Sequence, residues 1–269
     1  MEKFIDKILS FIAKDFKVEL SYKMSFILRI VGIFFSLLMW FFLAKWIEKG
    51  IVSSNFNYNY FAFILIGISC SEFQNGGLRG FSEKIRQNQV TGTLEALLAT
   101  PTNLFLILWG STLWEFIYSL FNSILFLCVG VLFFGVKVSI NSVPSIILAL
   151  LLSYLAFSAI GILSSSFILL YKKGDPINLT ISSLSLLLAG VYYPLSILPD
   201  SLKLISNFLP ITHFLKIMRG TLLEGRDINK FASSYFYLFL FVIVLLPLSL
   251  IVFKLAYKAA KVKGTLCHY

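Results

Sequence analysis

Thirteen acidic side chains, two histidines and three cysteines are the side chains from which this 269-residue chain could build acid–base, nucleophilic or metal chemistry. Enzymes need such groups gathered in one place, and here they are scattered. Cys70, Cys128 and Cys267 lie far apart and keep no metal-ligand spacing. His213 has no second ligand near it in sequence and reads as a hydrogen-bonding structural residue. No G-x-x-x-x-G-K-[ST] phosphate loop occurs, so no ATP hydrolysis, cofactor or metal is expected of the chain itself. Three charged residues do stand where charge is costly. Arg29, Glu72 and Glu115 fall inside long apolar runs and should face a protein interior or water. An Arg29–Glu72 pair, an Arg29–Glu115 pair and an Arg29 snorkelling to the membrane surface all fit their positions. No further acid or histidine extends them into a proton relay.

The elements that hold these residues follow from composition. Hydrophobic residues make up 58% of the chain and charged residues only 13%, with a mean hydropathy of +0.87. Soluble domains are roughly one quarter charged, and no core of this size hides so much apolar surface from water. The solvent must be a bilayer. Backbone groups in lipid have to be satisfied within their own segment, and the ten-residue alternation of a membrane barrel is absent. The expected fold is all-α and polytopic, a single domain over residues 1–269. Six runs are long enough to cross about 30 Å of hydrocarbon, near residues 26–47, 58–78, 104–135, 143–171, 177–193 and 236–255.

Residues 1–24 place Phe4, Ile5, Ile8, Leu9, Ile12 and Phe16 opposite Lys3, Lys7, Lys14 and Lys17. That pattern predicts an amphipathic helix lying along the membrane surface; with no small-residue cleavage site it is not read as a signal peptide. The net charge of +10 sits at the edges of the apolar runs rather than in aromatic-interleaved patches, which argues against nucleic acid. Counted over short loops, Lys and Arg favour one side: residues 3–23, Arg79, Lys84, Arg86, Lys172, Lys173 and residues 254–263, against Lys45, Lys49 and Lys137 on the other. Both termini are therefore expected in the cytoplasm, and the chain in the cytoplasmic membrane.

Two segments break the pattern. Residues 79–103, RGFSEKIRQNQVTGTLEALLATPTN, lie on the cytoplasmic side. Thr91 or Thr93 can cap a helix there, Glu95 sits beside its positive end, Leu94, Leu97 and Leu98 form an apolar face, and Pro101 stops it. Such a helix either docks in a groove of a soluble partner or lies on lipid. The second segment, residues 194–233, is too apolar to be solvated and too broken by Pro194, Pro199 and Pro210 to be one span. Two short helices dipping into the outer leaflet and returning would suit it, provided protein or a wet cavity covers them.

GTLEALLATP, with EKIRQNQV just before it, resembles the coupling-helix segment of ABC type-2 exporter permeases. YYPLSILPDSLKLISNFLPITHFLKIMRGTLLEG resembles the same family's segment before the last span, with spaced prolines, the Pro210–His213 step and Arg219. ELSYKMSFILRIVGIFFSLLMWFFL fits its interfacial helix and first span. The resemblance covers nearly the whole chain. Many members have an acid four residues before the Gly, where this chain has Asn88 before Gly92, so either Asn88 or Glu83 makes the polar contact. The resemblance implies a half-size permease, dimerised around a central pathway and driven by a separate nucleotide-binding ATPase subunit, which would hold ATP and Mg. Gly92, Thr93, Leu94, Glu95, Leu97, Leu98 and Pro101 would then couple the two. Pro194, Pro199, Pro210, His213 and Arg219 would belong to an outer re-entrant gate.

A membrane-embedded transferase would need clustered acids. A channel or secondary transporter would need a ring of charges or inverted repeats. Neither pattern is found. With no large external domain in the sequence, an amphipathic drug- or lipid-like cargo is favoured, and a lipid-linked polysaccharide or lipo-oligosaccharide is the alternative.

Overall fold

A computed structural model describes residues 23–50, 59–90, 92, 104–171 and 176–262, and among these the regular structure is entirely helical. The expected surface helix at residues 1–24 lies almost wholly outside the described residues. The long helices are α1 (Lys23–Gly50), α2 (Tyr60–Val90), α3 (Leu104–Phe134) and α4 (Val143–Tyr171). A shorter α5 (Pro176–Leu188) follows. After a 3-10 turn at Leu195–Ile197 come α6 (Asp200–Asn207) and α7 (Pro210–Leu222). A second 3-10 turn at Ile228–Phe231 leads into α8 (Ala232–Val262).

Four stretches among the described residues are long and apolar enough to cross a membrane: Met24–Glu48, Leu113–Phe134, Val143–Tyr171 and Ile228–Val262. The other two runs behave differently. Helix α5 has 13 residues, about 20 Å at 1.5 Å per residue, and leaves helical geometry well before Tyr193. Helix α2 has 31 residues, but Glu72, Gln74 and Asn75 lower its apolar character midway. Both departures have a physical reason in the packing. Helix α2 is the axis of the bundle and touches α1, α3, α4, α5 and α7. Phe61 through Ser71 are buried without a break, as are Phe73, Gln74, Leu78, Phe81 and Ile85. A helix whose first half is enclosed by protein has no need of a lipid-like surface there.

Small residues let the neighbours approach this axis, as in other membrane helix pairs. A Cβ placed on Gly161 of α4 would lie 2.6 Å from the Leu78 carbonyl oxygen and 2.8 Å from that of Gly77. Ser69 and Ser123 join α2 to α3 reciprocally: each hydroxyl donates to the other's carbonyl, at 2.7 and 3.0 Å. At its start α2 is capped twice. The Tyr60 amide donates to the Glu48 carboxylate of α1 at 2.9 Å, and the Phe61 amide to Asn59 Oδ1 at 3.0 Å.

Gly161→Val should force α4 off α2, because the obstructing atoms are backbone, and cost about 1–3 kcal/mol of stability. Gly32→Val, with nothing within 4 Å of its Cβ position, should leave stability nearly unchanged. Thermal unfolding of the two variants in detergent checks the contrast; equal melting would contradict the close α2–α4 crossing.

Candidate functional site

The chain breaks sharply where α5 ends. Ala189 is followed by Gly190 at φ +77°, a left-handed position that favours glycine, and by the non-helical Val191 to Tyr193. A helix end leaves carbonyls without partners, and this one lies inside the protein, with Ala189, Gly190 and Val191 buried. The partners come from three later pieces of chain. Tyr193 OH donates to the Leu187 carbonyl and Ser206 of α6 to that of Leu188. Arg219 of α7 donates to Gly190 O at 2.7 Å and to Val191 O at 2.8 Å.

Arg219 does one thing more. Its Nη2 also donates to Phe63 O of α2 at 3.1 Å, and its guanidinium carbon stands 3.3 Å from the centroid of the Phe63 ring. One planar cation thus joins the break after α5, the amino-terminal end of α2 and helix α7. The fork geometry and ring stacking are what distinguish Arg from Lys. Space for it exists because residue 67 is glycine; a Cβ there would stand 2.7 Å from Arg219 Nη2 and 2.2 Å from Val191 O. Tyr60 and Tyr192 meet beside this latch: Tyr60 OH donates to Tyr192 O at 2.8 Å, and Tyr192 stacks on Trp40 at 4.5 Å.

Each proline of the 194–233 segment opens a helical piece instead of merely interrupting one. Pro194 precedes the 3-10 turn, Pro199 caps α6 and Pro210 is the first residue of α7. Helix α7 is buried along nearly its full length against α2, α4 and α8. His213 Nε2 is 3.1 Å from Asn207 O, and its ring stacks on Tyr237 at 4.6 Å.

At the other end of α2 lie the residues expected to couple to a partner. Glu83 is exposed, with its carboxylate 3.9 Å from Arg86 Nε; Asn88 is half-buried. Gly92 has φ +68° and open space around its Cβ position. Thr93, Leu94, Glu95, Leu97, Leu98 and Pro101 lie outside the described residues. Among the charges expected within the membrane, the Arg29 guanidinium sits over the Tyr118 ring at 4.5 Å, one turn beyond Glu115 on α3, and Glu72 is half-buried on α2. Glu115 packs on Gly80 of α2.

Between the two ends runs a set of contacts that the sequence reading missed. Gln74 Nε2 donates to Ser185 Oγ at 2.8 Å and Ser182 Oγ to Asn75 Oδ1 at 3.0 Å. Asn178 Nδ2 donates to Leu78 O at 2.7 Å and to Ser82 Oγ at 2.9 Å. These bonds tie α2 to α5. The available signal was the spacing of Asn178, Ser182 and Ser185, which places polar groups on one face of an otherwise apolar helix.

Replacing Arg219 should loosen the α5 break more than it weakens the whole fold. Both Arg219→Gln and Arg219→Lys are expected to speed amide exchange over residues 189–195 by about tenfold or more, because neither side chain reproduces the fork. Exchange unchanged in Arg219→Lys would show that charge alone holds the latch.

Compared with protein families, residues 44–251 match the model described as ABC-2 family transporter protein. Compared with curated proteins, the chain has no match.

Proposed function

This chain belongs to the ABC-2 family of transporter proteins, and from that premise we propose that it is the permease of an ATP-driven exporter, working with a separate ATPase subunit. The family match carries this reading. In it the chain crosses the cytoplasmic membrane six times with both termini inside. Helices α2 and α5 supply the two crossings that are less apolar or shorter than the rest. Residues 194–233 form a re-entrant outer segment, and two copies of the chain enclose the pathway. The cargo is an amphipathic, drug- or lipid-like molecule taken from the membrane or its inner face.

The geometry supports a simple means of coupling. Residues 92–103 follow α2 after one residue, Thr91, and α2 runs without a proline from Val90 to Tyr60, roughly 45 Å at 1.5 Å per residue. Its far end is gripped by Arg219. A partner that closes on ATP and displaces the 92–103 peg would therefore move α2 as a rod. The polar contacts to α5 would carry α5 with it, and the displacement would reach the outer segment through the latch, as rigid-body rocking. Glu95 and the leucines would form the contact, with Arg79, Lys84 and Arg86 anchoring the rod at the inner surface.

Two outcomes test this. Glu95→Arg should reduce co-purification of the ATPase subunit about fivefold or more, by placing the wrong charge at the contact; full retention would remove Glu95 from it. Replacing Pro199 and Pro210 with Ala should alter transport in reconstituted vesicles more than expression, because each proline sets where an outer helix begins. Normal transport by both variants would show that the outer segment is no gate.

A further inference from the structure

Beside the latch the outer segment encloses a cavity of about 400 Å³, within the range of small-molecule sites. Its walls come from the chain after α5, from α7, and from the turn leading into α8. Lys216, Arg219, Arg226 and Lys230 all border it, against a single acid, Glu224. Glu224 is 2.5 Å from Arg226, so these two charges offset each other. Neither Lys216 nor Lys230 has an ion-pair partner among the described residues. The cavity therefore carries net positive charge.

Ser233 and Ser234 add hydroxyls to the wall. Two lysines and two hydroxyls offer more donors than one carboxylate can use, and they suit an anion with three or four oxygens.

The rest of the wall is apolar, including Phe63, Leu215 and Phe231. Apolar surface continues outside: Ile197, two residues past the lining Leu195, is 69% exposed, and Phe236, one turn beyond Ser233, is 63% exposed. A free ion would have no use for such surroundings. We propose that this cavity binds the phosphate group of a lipid-like amphiphile, with Lys216, Lys230 and Ser233 on the phosphate and the apolar wall against its chain. This narrows the cargo class and rests on the reading of residues 194–233 as the outer segment of an exporter.

The test uses the full chain in non-ionic detergent without ATPase or nucleotide, titrated with dioctanoyl phosphatidic acid and followed by native mass spectrometry. One molecule is expected per chain. Dioctanoylglycerol, which lacks the phosphate, should bind about tenfold more weakly or less, and inorganic phosphate should compete only at far higher concentration. Lys216→Gln with Lys230→Gln should lose about tenfold in affinity, and Ser233→Ala about threefold. Lys137→Gln with Lys203→Gln, outside the cavity, should bind as the parent does. Equal binding by dioctanoylglycerol, by inorganic phosphate or by the cavity variants would overturn the proposal. Because no ATPase is present, the outcomes separate: a phosphate-binding chain that fails to retain the ATPase sinks the coupling reading alone, and a coupled chain blind to phosphate sinks this site alone.

Discussion

The structure turns on a guanidinium group set among backbone carbonyls. Where α5 stops inside the protein, its last carbonyls and those of Gly190 and Val191 cannot be left bare in a low-dielectric interior. Tyr193, Ser206 and Arg219 satisfy them. Of the three, only Arg219 also reaches α2, through Phe63. An irregular stretch of chain deep in a bundle is possible when protein covers it, and here the cover is α7, which is also the helix that delivers the arginine. Remove the cation and the break in α5, the burial of α7 and the anchoring of α2 lose their common support.

The second constraint is that the central helix is the least lipid-like of the long ones. Among apolar neighbours there is little hydrophobic force to bring helices together, so association depends on close approach and on hydrogen bonds. Helix α2 uses both means. Gly77 and Gly80 let α3 and α4 in, while Gln74, Asn75 and the Leu78 carbonyl bind α5. The same residues that make α2 a poor match for lipid make it a specific partner for α3, α4 and α5.

This explains which parts were legible beforehand. The runs of α1, α3, α4 and α8 face surroundings that are largely apolar, so apolar length alone located them, and α4 was placed to the residue. The prolines of residues 194–233 read in the sequence only as breaks in a span; that each opens a helical piece came from the structure. What the sequence pattern could not supply was distance in space. Arg219 was singled out, but its partners Phe63, Gly190 and Val191 lie up to 156 residues away, and they contribute carbonyls, which no side-chain pattern records. The stopping point of α5 was hidden for a related reason. Residues 177–193 continue to read as apolar past Leu188, and only Gly190 and the satisfied carbonyls show that the helix ends. Arg29 was expected beside a carboxylate or at the surface; its contact with the Tyr118 face needs the rotation of α3 relative to α1, which composition does not encode.

A rod fixed at one end and pushed at the other must carry its fixed end along or break it. Helix α2 has no proline to bend at, and Gly76, Gly77 and Gly80 are occupied by close packing against Ser119, Phe157 and Glu115, which leaves them little room to act as hinges. Under the proposed coupling, displacement at Gly92 would be passed along α2 toward Phe63. There the contacts are single hydrogen bonds to carbonyl oxygens and one ring face, whose partners a planar cation can exchange at lower cost than interlocked side chains can be repacked. Under that coupling the Arg219 latch, beside the cationic cavity, would be where the bundle yields. Under the proposed coupling, the occupant of that cavity and the position of α2 are sensed by the same helix, α7, and a ligand there would bias the outer segment by as much as it prefers one latch geometry over the other.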